Sequence, residues 1–438
     1  MSDSAIDHFD ASTRRKALKQ AAASETFPEA EPIVNVHAHT FFSYNYRGYS
    51  PSHFALESKR QALAVSGIVE FDCLDGLDEF LAAGRLLDLK TSIGLESRVY
   101  VPEFGDREIN SPGEPGISYH MGIGFCSTDI PEEAQTYMDG LRTTSADRNR
   151  GLVDRVNAHL DPVALDYEAD VLPLTPSGNA TERHICVAYG RKAAAQFPDE
   201  EALARFWAEK LGVEVDQVAD LPDGRALTDL LRSKTMKSGG VGYVQPDLGS
   251  FPHMPDMNRF TLLCGAIPTL TWLDGCSAGE KAIDELTDVA MASGVAAFNV
   301  IPDRNYTPGS PDVKLINLQE VVAMTERRGL PLIGGTEMNS PGQKFVDDFD
   351  SDALYPLRPA FLKGAHILYA HTVLQGMTGM GYLSDWAENS FADVFAKNDF
   401  FNAFGEAFSP RGVNRLRDGL SLERGPDEIL ELARSAVA

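Results

Sequence analysis

Two histidines one residue apart, His37 and His39, stand at the polar end of the apolar run 33–36. An extended chain turns alternate side chains to one face, so both imidazoles can converge on a single divalent cation. The competing reading is a pair of polar residues satisfied by hydrogen bonds in a loop. Other acids end apolar runs in the same manner: Glu96 after 91–95, Asp274 after 269–273, and Glu337 after Ile333-Gly334-Gly335-Thr336. Glu96 is a candidate to bridge two cations or to bond a water, or else to pair with Arg98. His120 lies in the glycine-bracketed run 117–125, either as a ligand or as a buried imidazole bonded to a carbonyl. The expected ligands are thus His37, His39, Glu96, His120 and Glu337. Asn339 follows Glu337 by two residues and faces the same way if the chain there is extended. Arg304, in Ile301-Pro302-Asp303-Arg304-Asn305, can meet an anionic substrate or pair with Asp303. Arg183 and His184 can contact substrate or simply face solvent. His371, after Ile367-Leu368-Tyr369-Ala370, is a candidate acid or base.

These residues need elements to hold them. The runs 33–36, 67–72 and 91–96 read as strands, separated by helix-length spacers at 52–65 and from Asp75 onward, where Leu77, Phe80, Leu81, Leu86 and Leu87 can form an apolar stripe. Strands alternating with helices indicate parallel βα units, and polar residues at strand ends mark where barrel enzymes carry their sites. Residues 117–125 read as an extra strand or hairpin arm. From Asp129 to about Gly240 the pattern becomes helical, with Asp129/Glu132 and Asn179/Glu182 spaced as capping boxes. Alternation resumes with strand-like runs at 267–273, 295–300, 332–337 and 365–371, and a closing helix at 428–436. The expectation is an α/β, distorted TIM-like barrel with seven or eight strands. Its parts are an N-terminal extension (1–30), a first barrel segment (31–128), a mostly helical insertion over one barrel end or a separate domain (129–262), and a second barrel segment with C-terminal helices (263–438).

With 438 residues, 43% of them hydrophobic, the chain can bury a large core. The net charge of −25 opposes nucleic acid as a partner. No run approaches the roughly 18 apolar residues of a membrane span, and the Ala-rich N-terminus lacks the apolar core of a secretory signal. These features lead us to expect a cytoplasmic protein. Five unpaired-looking cysteines argue against a disulfide scaffold or a thiolate zinc site.

The N-terminal third resembles the PHP family, the polymerase and histidinol phosphatase domains. His37-Ala38-His39-Thr40-Phe41-Phe42-Ser43 is similar to that family's opening HxHTxxS motif. Glu70-Phe71-Asp72-Cys73-Leu74-Asp75-Gly76-Leu77 resembles its second motif, DHDTxxGL, and Gly94-Leu95-Glu96 its third. His120-Met121-Gly122-Ile123-Gly124-Phe125 is similar to the histidine that follows, and Gly335-Thr336-Glu337-Met338-Asn339 to the closing GxDxH. The resemblance implies a PHP-type barrel of seven parallel strands, with zinc, manganese or iron at the strand ends and phosphoester hydrolysis as its usual work. Phe71 stands where the family places a metal-binding histidine, Asn339 replaces its terminal histidine, and Glu337 its aspartate. One or two ions are therefore expected, in place of three.

The leading expectation is a metal-dependent hydrolase of a small anionic substrate, most simply a phosphoester. His37, His39 and Glu337 would hold the cation that activates water, with Glu96 bridging to a second ion near His120. Arg304 or Arg183 would neutralise developing charge. A rival is the wider group of amidohydrolase-like barrels, which includes C–N hydrolases and uronate-type isomerases. A third reading is a decayed barrel kept for binding. Whether the chain associates with copies of itself is not legible in its sequence.

Overall fold

Short runs rich in Val, Ile and Leu form the central sheet of the protein, seen here in a computed structural model that describes residues 5–219, 225–245, 250–307, 312–340 and 342–437. Its strands are β1 (Glu31–Asn35), β2 (Leu63–Phe71), β3 (Lys90–Tyr100), β4 (Ile117–Ile123), β5 (Ile267–Trp272), β6 (Ala297–Val300) and β7 (Leu332–Gly334). They lie side by side in chain order in one seven-stranded sheet. Pairing is parallel from β1 to β3 and from β5 to β7, and antiparallel on both sides of β4. The expectation of seven parallel strands is corrected here. The segment between β3 and β4 holds only a short 3₁₀ turn at Pro102–Phe104; it carries no crossover helix, so β4 folds straight back along β3.

The sheet curls until its two ends meet. Val36 N–H donates to the Gly334 carbonyl (3.1 Å), Glu337 N–H to His37 (2.9 Å), and His39 N–H to Glu337 (2.7 Å). The result is a nearly closed, distorted TIM-like barrel with a large helical insertion. Helices cover its outside. Leu77–Leu87 buries Leu77, Phe80, Ala83, Gly84 and Leu87, a 3.6-residue stripe, whereas Leu86 is exposed. The helix Pro51–Arg60 is capped by Ser50, whose side chain accepts from His53 N–H. It ends early enough for β2 to start at Leu63.

The expected strand at 365–371 is instead the middle of the helix Arg358–Thr378, closed by Gly379 in the left-handed conformation (φ 75°). The run shows no polar face because this stretch of the helix is buried: Ala365, His366, Ile367, Leu368, Tyr369, Ala370 and His371 are all inside. A short apolar run has the same sequence signature in a buried strand and a buried helix. Gly364 allows the contact with the sheet, since a Cβ there would lie 1.8 Å from the Leu332 carbonyl oxygen.

Two compact units divide the chain: Phe41–Tyr44 with Met138–Ser250, and the remainder, which contains the barrel. The first has its own core, with Val156, Ile185, Tyr189, Trp207, Leu231 and Met236 buried. Its helices include Glu182–Gln196, Glu200–Leu211 and Arg225–Thr235, and the 29-residue helix Glu132–Leu160 runs into it. The helix at Glu182 is capped by Thr181 reciprocally with His184, so Asn179 is not its cap. No helix among the described residues is long and apolar enough to cross a membrane.

Candidate metal centre

The strand β1 reaches the site through a slip in register. Asn35 pairs with Ser66, but the Ala38 carbonyl accepts from Val69 N–H (2.9 Å), so β1 has gained one residue on β2 between them. A slip of one residue reverses the faces. It brings His37 and His39 to the face of Val69 and Phe71, and Phe71 pairs with Glu96 on β3. Glycines permit the irregular backbone. A Cβ on Gly67 would sit 2.7 Å from the Val36 oxygen, and one on Gly335 would sit 2.5 Å from both the backbone nitrogen and oxygen of His37.

His37, His39 and Glu96 are all buried, and their ligand atoms lie within 4.8 Å of one another. Glu96 Oε2 is 3.5 Å from His37 Nε2 and 3.3 Å from His39 Nε2. Neither His37 Nε2 nor Glu96 Oε2 makes a hydrogen bond. The other nitrogen of His37 is engaged, Nδ1 lying 3.2 Å from Asn299 Oδ1. An amide oxygen only accepts, so Nδ1 carries the proton and the Nε2 lone pair faces the cluster. The His39 ring stacks on Phe71, with centroids 4.2 Å apart and planes 14° from parallel. Burial works to raise the Glu96 carboxyl, but the two imidazoles outweigh it and hold it down at about 2. Burial likewise opposes charge on His37, and Glu96 with Glu337 overcomes it, leaving its pKa raised.

The side chains of the other two expected ligands, His120 and Glu337, are not part of this cluster of three. His120 pairs with Ser97, and Met121 with Glu96; opposed residues share a face, so His120 is turned to the other side of the sheet from Glu96. Its Nε2 meets Asn258 Oδ1 at 2.6 Å, and burial lowers its pKa to about 4, keeping it neutral. The Glu337 backbone bonds to both histidines, yet its Oε2 accepts from Arg304 (3.3 Å) and Gln343 (2.9 Å). Glu337 and Met338 have φ of 59° and 52°, which breaks the extended alternation expected to align Asn339 with Glu337; Asn339 is half-buried.

Among the expected catalytic residues, Arg304 stands on the short helix after β6 and points at Glu337, 45% of its side chain exposed against 8% for the acid. Asp274 is paired with Lys314 at 2.8 Å and accepts from Cys276 N–H, a turn-fixing role. Both ring nitrogens of His371 have buried partners. Its Nδ1 accepts from Tyr382 N–H (2.9 Å) and its Nε2 meets the Gly124 carbonyl (3.1 Å), while burial lowers its pKa to about 4. In the helical unit Arg183 pairs with Asp229. There His184 Nδ1 accepts from Thr181 N–H (3.1 Å), and burial depresses its pKa to about 3.

Some site residues escaped the sequence reading. Asn299 and Gln343 orient His37 and Glu337, and Glu70 accepts the backbone N–H of Thr40 (3.1 Å) just beyond His39. Asn299 left a trace, as a lone amide in the apolar strand Ala297–Val300: a polar group buried there needs a partner.

No family model matches the chain, and no curated protein matches it. Among solved structures it is similar to an amidohydrolase from Chromobacterium violaceum, solved with bound sulfate and no metal (16% identity, TM-score 0.49, 75% of this chain and 96% of that one). It is also similar to a structure described as a metal-dependent phosphoesterase of Bifidobacterium adolescentis (16% identity, TM-score 0.47, 76% and 98%).

The donor set fits a divalent cation. Two imidazole nitrogens and one carboxylate oxygen converge, buried, and His37 Nε2 and Glu96 Oε2 among them make no hydrogen bond. Nitrogen and oxygen donors of this kind suit zinc, manganese or iron, and three protein ligands leave coordination positions open to other groups.

Proposed function

We propose that the protein is a metal-dependent hydrolase of a small anionic substrate, most simply a phosphoester. The observation that carries this reading is the convergence of His37 Nε2 and His39 Nε2, just beyond β1, with Glu96 Oε2, within β3. A divalent cation held by these three supplies Lewis acidity, which activates water and polarises the bond to be broken. The chain's own residues do the rest. Asn299 keeps the proton of His37 on Nδ1, and Glu96 contributes the negative charge that a cation site needs. Arg304, half-exposed beside Glu337, offers a fixed positive charge and a planar donor fork to a phosphoryl group. A phosphate-release screen across common phosphoesters with manganese or zinc tests the reading. Metal-dependent release from at least one ester is expected; no release from any of them contradicts it.

One observation favours a second reading. Phe71 lies flat against His39, and a phenyl ring ligates nothing, so the cluster is suited to a single ion. Amidohydrolase-like C–N bond hydrolysis and uronate-type isomerisation need one ion only. Mass spectrometry after incubation with cyclic amides and uronates separates them, because hydrolysis adds the mass of water and isomerisation adds none.

A further inference from the structure

Glu337 is built into the centre by its backbone and held out of it by its side chain. Its N–H donates to the His37 carbonyl and its own carbonyl accepts from His39 N–H, so its Cα lies level with Ala38, between the two candidate ligands. The carboxylate is nevertheless engaged by Arg304 Nη2 (3.3 Å) and by Gln343 Nε2 (2.9 Å), both on Oε2. Oε1 accepts no hydrogen bond from the described residues. Gln343 is itself oriented, because its Oε1 accepts from Ser340 N–H (2.8 Å) and only its NH₂ is left to donate. The balance of burial is asymmetric: the Glu337 side chain is 8% exposed and the Arg304 side chain 45%. A buried carboxylate is costly without a countercharge, whereas the guanidinium is open on one side to another anion.

We propose that Arg304 and Gln343 form a latch that keeps Glu337 off the His37–His39–Glu96 centre, and that an anionic substrate group engaging Arg304 releases Glu337 to become a fourth ligand. The proposal rests on the metal-centre reading above. An anion on Arg304 takes the countercharge from Glu337, and a cation held by Glu96 with His37 and His39, the residues that the Glu337 backbone adjoins, can then replace it. Coupling of this kind is reciprocal, so the anion tightens the metal by the factor that the metal tightens the anion. Arg304 and Gln343 are positioning residues in this scheme.

The test is a double-mutant cycle on metal affinity in buffer free of phosphate and sulfate. Zinc or manganese binding is measured by competition with a chromophoric chelator, for wild type, Arg304→Met, Glu337→Gln and the double variant, each checked for folding by circular dichroism. Release of the latch in Arg304→Met is expected to tighten the metal at least about fivefold, and the gain is expected to vanish in the Glu337→Gln background. Gln343→Leu offers a second route to the same release and should tighten the metal in the same direction. In wild type, added inorganic sulfate should tighten the metal, and in Glu337→Gln it should not. Equal tightening by Arg304→Met with and without Glu337 would mean that loss of a nearby positive charge explains everything, and overturns the latch. Sulfate tightening that persists in Glu337→Gln would mean direct ligation by the anion, and also overturns it. Failure of every protein, wild type included, to bind metal would instead remove the metal-centre reading itself.

Discussion

Replacing Asn299 with Leu separates the metal affinity of the centre from the stability of the barrel. Asn299 Oδ1 lies 3.2 Å from His37 Nδ1, while its Nδ2 is buried and bonded to nothing. An intramolecular hydrogen bond contributes about 0.5–1.5 kcal/mol, and a buried unsatisfied amide donor costs about 1–3 kcal/mol. Leucine is similar in size and removes both terms. His37 Nδ1 loses its acceptor, a further penalty of about 1–3 kcal/mol, so these contributions nearly cancel and the metal-free protein should change by no more than ~1–2 kcal/mol. Metal affinity should behave differently. With no acceptor at Nδ1 the ring can protonate on Nε2 and turn, and loss of an outer partner of a ligating histidine typically lowers affinity about 10–100-fold, or roughly 1.4–2.7 kcal/mol. Chelator competition and thermal melts in the presence of EDTA report the two quantities separately. An unchanged metal affinity, or a large loss of stability with affinity intact, would refute the assignment of Asn299 as the residue that orients His37.

Other perturbations follow from the same geometry. His371→Ala leaves the Gly124 carbonyl and the Tyr382 N–H without their buried partner, so it should destabilise the fold by about 2–5 kcal/mol in denaturant titrations without altering metal content. Burial, with Asp303 nearby, raises the pKa of Asp347 to about 8. A carboxyl raised in the folded state contributes stability that is complete below its unfolded pKa and is lost as pH rises through the folded value. Asp347→Asn should therefore be the more stable protein near pH 9, by at most on the order of 5 kcal/mol, with the gap closing toward pH 4; a constant offset across that range contradicts the burial argument. Phe71→His sets a third imidazole against His39 and should raise the metal content found by plasma emission, whereas unchanged occupancy would mean that no second ion has room there.

Much of the barrel could be read along the chain because burial on one face, glycine stops and polar strand ends leave local marks. β1, β2, β3, β5 and β6 are of this kind, and so is the pairing of His37 with His39 on one face. What stayed hidden depends on partners far away in sequence. The antiparallel course of β4 decides that His120 faces away from Glu96, and nothing within 117–125 reveals it. Residues 364–372 of the helix Arg358–Thr378 are buried on every side, which erases the 3.6-residue period that would distinguish it from a strand. The positive φ angles at Glu337 and Met338 occur at non-glycine residues, where composition gives no warning. The role of Asn299 emerges only when β6 is set opposite the exit of β1.

The central claim is that His37, His39 and Glu96 hold a divalent cation. Its most direct test is the metal content of protein purified without chelator, by plasma emission, together with an anomalous diffraction map of its crystals. The account predicts one or two equivalents of transition metal, with the strongest anomalous peak between these three side chains, and loss of that peak in His37→Ala and His39→Ala. Three well-occupied ions would contradict the ligand inventory, and no ion after soaking in manganese or zinc would contradict the claim itself.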